Sequence, residues 1–596
     1  MKKVYSFVVV CLFLLACGRL EPVSPVDPLP FPMDENKDLS VNPGDDFYQY
    51  CNGSWLKTQP PVPAGDIVGS MYDANPVMDQ RINTLSKEVP SLKHYFDLAN
   101  EMDASSEEAR RYIEEHKASI HRPASQAEAF REMGAMVMNG VTPFETGIRP
   151  YYVDGRIVCI LVPQVDFNIY DDNVSDQLIP ASKGQAEAGL TALRWIAEGM
   201  GIDLDNIYTF DSSGSMFAPL MDKTPDELYE MMLQAWNQYD RFLSRDKIDD
   251  FESLTHYILA YPLSYELVRK YVSENDKQRY LAILETMRSS FRKRIEQADW
   301  MSNATKNNAL DKLDRMKFYV AFPDQWHEEG LPDITGCKTF VEAVHVLRRS
   351  QQWVVSKLLG TQDVFNMAIL GTFSTEDGSH YPMDLSMANA FYEPTVNGTL
   401  IYPALLLPPL AQSGISEARI YASFAVVGHE FTHGFDNLGA QYDAAGRKHN
   451  WWTVADKMAF EDRQKNLVRC YDNLEADPDL LPGQYGPGER TLPENIADLG
   501  GFLIALDAYK EHLEEQGYFG PSYENQLRRF YEGFADFWRL KYSKLIAEYF
   551  YLHDTHSLAR QRVNGVVMNT DLWYELYDVT RDNQLYLPPE RRTRIW

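Results

Sequence analysis

Through most of the chain apolar residues return every third or fourth position, the spacing of one buried helix face. The clearest case follows Thr224-Pro-Asp-Glu227, a capping box with proline at the first helical position. After it Leu228, Met231, Met232, Ala235 and Trp236 fall on one side. Similar stretches cover about 105–135, 184–200 and 276–315, and strand signals between 66 and 380 are few. No period of fixed length repeats, which argues against a solenoid. Further on, Met387–Pro394 and Asn397–Tyr402 read as two short strands joined through an Asn-Gly turn. An apolar run with small residues then spans 421–436, with Ser416 and Glu417 as a helix start and Gly434 with Gly439 as its end. Thr491–Gly501 opens another helix, with Pro493 in its first turn and Leu499, Phe502, Leu503 and Leu506 on one face. The pattern predicts a mainly α protein with a small amount of β, and 596 residues suffice for two or more cores.

Two of these helices carry chemistry. His429-Glu430-Phe431-Thr432-His433 places two imidazoles one turn apart on the same face, a spacing that can hold one zinc ion. Glu430 between them is placed to act on an attacking water. A five-residue pattern alone is a weak signal; the second helix strengthens it. Glu494 and Asp498 lie four apart on one side of that helix. A catalytic zinc takes three protein ligands and keeps one position open. Glu494 can be the third ligand, which leaves Asp498 to accept the other ring N–H of a ligand histidine. Gly500 and Gly501 would let the two helices approach closely.

Charge and cysteines narrow the class. A formal net charge of −29 argues against nucleic acid and against peripheral binding to anionic lipid. Met1-Lys2-Lys3 and the apolar run Val4–Ala16 form a secretory signal too short to span a bilayer. Leu14-Leu15-Ala16-Cys17 resembles a bacterial lipobox, so Cys17 is the expected lipidation site, and an ordinary signal peptide is the alternative. Prolines at 22, 25, 28, 30 and 32 mark 18–42 as an extended tether. The address expected is the bacterial cell envelope, at its periplasmic face or surface. Cys51, Cys159, Cys337 and Cys470 are widely spaced, consistent with one or two disulfides or with buried thiols. Gly134–Asn139 is reminiscent of an aminopeptidase motif but lacks its glutamate, and reads as a core helix.

His-Glu-Phe-Thr-His-Gly-Phe-Asp436 followed by Glu494-Asn-Ile-Ala-Asp-Leu-Gly-Gly501 resembles the neprilysin-like zinc metallopeptidases of family M13, whose bacterial members are the PepO-type endopeptidases. Pro43–Leu56, Asn450-Trp-Trp452, His556–Gly565 and the final Arg-Ile-Trp596 are similar to other parts of that family. The resemblance implies a two-lobed ectodomain, with a mostly helical lobe over 43–385 and a thermolysin-like gluzincin domain over 386–596. It implies one Zn²⁺ per chain on His429, His433 and Glu494, with Asp436 and Asp498 orienting the histidines. It makes Glu430, His556 and Asp498 the catalytic set, with His556 facing the developing oxyanion. Asn389, Ala390 and Arg562 would hold the peptide backbone, and Leu406, Leu410, Val426, Phe537 and Trp538 would line the pocket for the residue after the cut bond. Leu410 replaces the family's usual aromatic. Taken singly, His556 also fits a surface loop, Ala390 an ordinary edge strand, and Phe537 and Trp538 a core. The expected activity is cleavage of oligopeptides on the amino side of hydrophobic residues, by a protein that touches the membrane through its anchor only and for which a monomer is favoured. A zinc exopeptidase and a non-catalytic peptide- or glycan-binding lipoprotein are the competing readings.

Overall fold

The computed structural model describes residues 32–596 apart from 145–148, 154, 164–182, 209–214, 329, 371–372, 375–379, 382–387, 409 and 411–415. Cys17 and most of the Pro-rich segment lie outside the described residues. The protein is mainly helical and two-lobed.

One lobe is built from amphipathic helices. Ala74–Glu88, Pro90–Asn100, Ser106–Ser119, Gln126–Met138, Lys183–Met200, Pro225–Ala235, Phe251–Tyr271 and Phe340–Leu358 bury one face each. The Thr224 capping box forms as its sequence predicts, with the Thr224 hydroxyl accepting from the Glu227 N–H. The expected span at 105–135 is two helices, broken at Ile120–Ser125 where Pro123 cannot continue the first. Gly134 lies on a core helix. A side chain there would meet the backbone of Ile196, so the glycine serves close packing against Lys183–Met200. A small sheet was not foreseen: Arg149–Val153 pairs antiparallel with Arg156–Ile160, which pairs parallel with Ile207–Tyr208. Its first two strands are neighbours in sequence, and Asp154-Gly155 between them is a readable hairpin dipeptide. Only the two-residue partner Ile207–Tyr208 comes from far along the chain and leaves no periodic trace.

The other lobe carries the helices of His429 and Glu494 and draws on distant parts of the chain. Phe47–Thr58 packs here through Tyr48, whose backbone N–H donates to Asn564 Oδ1 at 2.9 Å, and Asn52, whose amide donates to the Ala535 carbonyl at 2.9 Å. Ile67–Val68 pairs with Lys541–Tyr542. Lys317–Val320 runs parallel to Gly398–Ile401, which pairs antiparallel with Ala390–Glu393. Phe47–Thr58, Ile67–Val68 and Lys317–Val320, all within the 43–385 segment, thus pack with elements of the 386–596 segment. In that sheet Gly398–Ile401 is central and Ala390–Glu393 forms an edge. Asn397 turns the hairpin in the left-handed region, at φ +47°, a conformation that asparagine tolerates. Trp596 is half-buried against this core, its ring beside Phe291, Phe435 and Phe460. All four cysteines of the described residues are free thiols, with Cys51, Cys159 and Cys470 buried and Cys337 half-buried.

Candidate metal centre and active site

The centre is made where two helices touch. Ala425–His433, preceded by the short helix Glu417–Ser423, brings His429 and His433 to one face; Leu492–Glu515 brings Glu494 and Asp498. Their contact depends on missing side chains. A Cβ on Gly501 would run into the His429 backbone N–H and the Ala425 carbonyl, and one on Gly500 into Thr432. Gly428 faces Gly501 in return.

At this crossing the Nε2 atoms of His429 and His433 are 2.9 Å apart. Glu494 Oε2 lies 3.1 Å from the first and 3.6 Å from the second. Each ring is held by its other nitrogen. His429 Nδ1 donates to Asp498 Oδ1 at 2.8 Å, and His433 Nδ1 donates to Asp436 Oδ2 at 2.6 Å. Carboxylates only accept, so both Nε2 atoms present lone pairs to each other and to the Glu494 oxygen. Glu494 Oε2 is buried without a hydrogen bond of good alignment. With both rings neutral, three electron-pair donors thus converge, an arrangement that a cation relieves. Ligands about 2.0–2.2 Å from a tetrahedral ion lie roughly 3.3 Å from one another, and 2.9–3.6 Å brackets that spacing. The residues fit a three-ligand metal.

Charged groups surround the ligands. Arg562 donates from Nε to Asp498 Oδ2 at 2.7 Å and from Nη2 to Asp498 Oδ1 at 2.6 Å, a bidentate pair. Its guanidinium also lies over the Trp538 ring, 3.7 Å from the centroid. Burial acts to raise the Asp498 carboxyl, but Arg562 and His429 outweigh it and hold it below its ordinary range. Burial likewise works against the Glu494 carboxylate, and His556, His433 and His429 together keep it well below the usual value. Glu430 is buried beside them, and burial raises its pKa. His556 stands on the open side, its side chain 45% exposed, with Nε2 3.1 Å from Glu494 Oε2. Asp554 fixes that ring, its Oδ1 accepting from His556 Nδ1 and from the His556 backbone N–H, both at 2.7 Å. Asp554 is missed by a search for ligands, although its place two residues before the histidine is a readable signal.

The other expected positions lie on several elements. Ala390 begins the edge strand, and exposed Asn389 accepts the Ala390 N–H on its side-chain oxygen at 2.9 Å. Trp538 caps the helix Gly520–Phe537, and both Phe537 and Trp538 are buried. Leu406 and Leu410 are buried on the run after the hairpin, and Val426 is half-buried on the histidine helix.

A buried HExxH helix crossed by a helix bearing the third carboxylate, in a mostly helical two-lobed protein, defines the gluzincin class of metallopeptidase fold. Two family models, each described as peptidase family M13, match residues 215–323 and 389–593. The chain belongs to that family. Among curated relatives it is 29% identical to "Neutral endopeptidase" of Lactococcus lactis subsp. lactis over 368 residues, covering 60% of this chain and 54% of the relative. It is 28% identical to "Neprilysin-1" of Caenorhabditis elegans over 390 residues, 62% of this chain and 48% of that one. The chain therefore spans about half the length of the curated relatives it matches. Among solved structures, the Mycobacterium tuberculosis zinc metalloprotease ZMP1 in its open state aligns with a TM-score of 0.73 at 22% identity, over 93% of this chain and all of that one. PEPO from Lactobacillus rhamnosis HN001 aligns with a TM-score of 0.60 at 20% identity, over 93% of this chain and all of the other. These structural likenesses speak for the fold.

Proposed function

We propose that the protein is a zinc-dependent endopeptidase that cuts oligopeptides on the amino side of hydrophobic residues. The observation that carries this is the convergence of His429, His433 and Glu494 with buried Glu430 alongside. Zinc at those ligands supplies Lewis acidity toward a peptide carbonyl and lowers the pKa of water. The remaining chemistry belongs to side chains. Glu430, whose pKa burial has raised, accepts the proton of the attacking water and hands it to the leaving amine. His556, steadied by Asp554, donates to the carbonyl oxygen as charge develops there. Asp498 and Asp436 keep the ligand rings in orientation. Arg562 holds Asp498 and is placed to reach a carbonyl of the bound peptide as well.

Substrate would add as a further strand along Ala390–Glu393, which gives affinity for almost any extended peptide. Phe537 and Trp538 with Leu406, Leu410 and Val426 form the apolar pocket for the following side chain. Lipidation at Cys17 and tethering through 18–42 complete the proposal, and no helix among the described residues is long and apolar enough to cross a membrane. The test uses protein lacking residues 1–17 and a blocked peptide of about ten residues with one internal Leu or Phe. Internal cleavage before that residue, lost on chelation and restored by zinc, is expected. Cleavage only of peptides with a free terminus would indicate an exopeptidase, and bound zinc with no turnover a binding protein. Glu430→Gln is expected to retain zinc and lose at least 10²-fold in kcat; normal turnover in that variant would remove Glu430 as the base.

A further inference from the structure

Lys312 lies in the interior behind the metal centre, only 1% exposed, on the helix Asn303–Arg315. Lysine is almost never so buried without a partner for its charge, because desolvating an ammonium costs several kcal/mol. No carboxylate of the described residues lies within 4 Å of its Nζ. The amine instead donates to two backbone carbonyls, Gly439 and Tyr442, each at 2.8 Å. Two aromatic rings flank it, Phe435 at 5.6 Å and Tyr392 at 5.9 Å to the centroids, within the range of cation–π attraction. Burial pushes the pKa down to about 7, with Asp436 and Asp443 acting in the opposite sense.

The partners of this amine all belong to the catalytic framework. Gly439 and Tyr442 bound the loop that leaves the histidine helix. The same loop is pinned from within by Asp436, whose Oδ1 accepts from the Leu438 and Gly439 N–H groups at 2.7 Å. The other oxygen of Asp436 accepts from His433 Nδ1. A Cβ on Gly439 would strike the His433 carbonyl, so the loop rests directly on the last helical turn. On its other side Lys312 reaches the hairpin. Its backbone carbonyl accepts from the Asn397 amide at 2.9 Å, and Asn397 Oδ1 accepts from the Tyr392 hydroxyl at 2.8 Å on the edge strand. One residue thus joins the orienter of a metal ligand to the strand that would bind the peptide.

We propose that Lys312 is a positioning residue: the N–H donors of its side-chain amine clamp the loop at Gly439 and Tyr442 so that Asp436 holds His433 in its metal-binding orientation. This rests on the metallopeptidase reading above. A mere core anchor predicts lower thermal stability and nothing more. A clamp predicts weaker metal binding in protein that remains folded. The experiment compares wild type with Lys312→Met, which keeps the apolar stem and removes the charge and donors. Zinc affinity is measured by competition with a chromophoric chelator, well below the unfolding temperature, beside kcat and KM on the blocked peptide. Expected are a 10- to 100-fold loss of zinc affinity, the range for partners of metal-bound histidines, and at least a tenfold fall in kcat/KM at saturating zinc. A far-ultraviolet circular dichroism spectrum like that of wild type is expected beside them. Should Lys312→Met not fold, Lys312→Gln, which retains a donor for one carbonyl without the charge, carries the same comparison with at least a fivefold loss of zinc affinity expected. Zinc affinity and kcat/KM within twofold of wild type in the folded variant would overturn the inference. A wild-type protein that binds no zinc would instead overturn the metallopeptidase reading, and the inference with it.

Discussion

At the scale of the residue, the centre is organised around ring orientation. A partner on the second nitrogen fixes an imidazole's tautomer and orientation toward a metal, and Asp498 and Asp436 are placed to do this for His429 and His433. Asp498 has the heavier task, since Arg562 takes both of its oxygens while His429 shares one. Replacing it by Asn removes the charge that pairs Arg562 and leaves an amide that can face His429 Nδ1 with its wrong end. Asp498→Asn is expected to lower zinc affinity 10- to 100-fold, read by chelator competition. Unchanged affinity would mean that Arg562 and burial alone hold the ring. The pairs His429 with His433 and Glu494 with Asp498 are legible in the chain, because their spacing of four is imposed by the helix itself, whereas Asp436 lies past the helix end and is pointed to only by the family resemblance. Asp554 is marked only by its place two residues before His556, and Lys312 by nothing local, since it gains its meaning from contacts with distant elements.

At the scale of the element, the determining feature is the close crossing of Ala425–His433 and Leu492–Glu515. Glycine at 428, 500 and 501 lets the backbones meet, so the Glu494 oxygen reaches the histidines. Gly501→Ala places a methyl group against backbone atoms that cannot rotate away. The helices must separate, at a cost of roughly 1–3 kcal/mol for overpacking. The expected result is a lower melting temperature together with weaker zinc binding, because separation also moves Glu494 from His429. Loss of stability with intact zinc affinity would show that the helices give way elsewhere. The helix pattern and the hairpin with its Asn-Gly turn are readable for local reasons, periodicity in one case and turn chemistry in the other. In the three-stranded sheet that includes Arg149–Val153, the Asp154-Gly155 dipeptide is an equally local hairpin signal, whereas the parallel pairing with Ile207–Tyr208 joins short strands far apart in sequence and leaves no local period.

At the scale of the molecule, the two lobes answer to different variables. In the helical lobe His345 is buried, its Nε2 donating to the Asn139 carbonyl and its Nδ1 accepting from the Tyr112 hydroxyl, each at 2.8 Å. Burial lowers its pKa to about 4 from an ordinary 6.5; the Asn139 carbonyl opposes this, and His116, Arg349 and Arg348 add to it. The unfolded chain therefore takes up a proton below pH 6.5 that the native ring refuses until about pH 4. Stability falls as pH drops through that window and is unaffected by this group above it, by roughly 3 kcal/mol at most. Denaturant titrations across pH 4–7 should show this slope, and His345→Gln should flatten it. The other lobe answers to metal. Zinc at 1,000 times its dissociation constant is worth about 4 kcal/mol to whatever binds it. Chelation should lower the melting transition of the lobe that holds His429 and leave that of the helical lobe in place. A single transition shifting as one would mean that the lobes unfold together.

Taken alone, the sequence determined the mainly helical class, the two-strand hairpin, and the placing of His429, Glu430 and His433 on one helix and of Glu494 and Asp498 on another. Each is carried by short-range order: a period of 3.6, a turn dipeptide, or four residues of spacing on one helix face. Tertiary structure decided what those local units do together. It brought Glu494 to within 3.1 Å of His429 across a gap of sixty-five positions, and placed Arg562 on Asp498. It set Phe47–Thr58 and Lys317–Val320 into the same body as the histidine helix. It also turned Lys312, which in sequence is one more charge on an amphipathic helix, into a buried contact with the loop behind the metal. The physical reason is common to all four: burial and approach are properties of pairs of surfaces, and one stretch of chain carries only its own half.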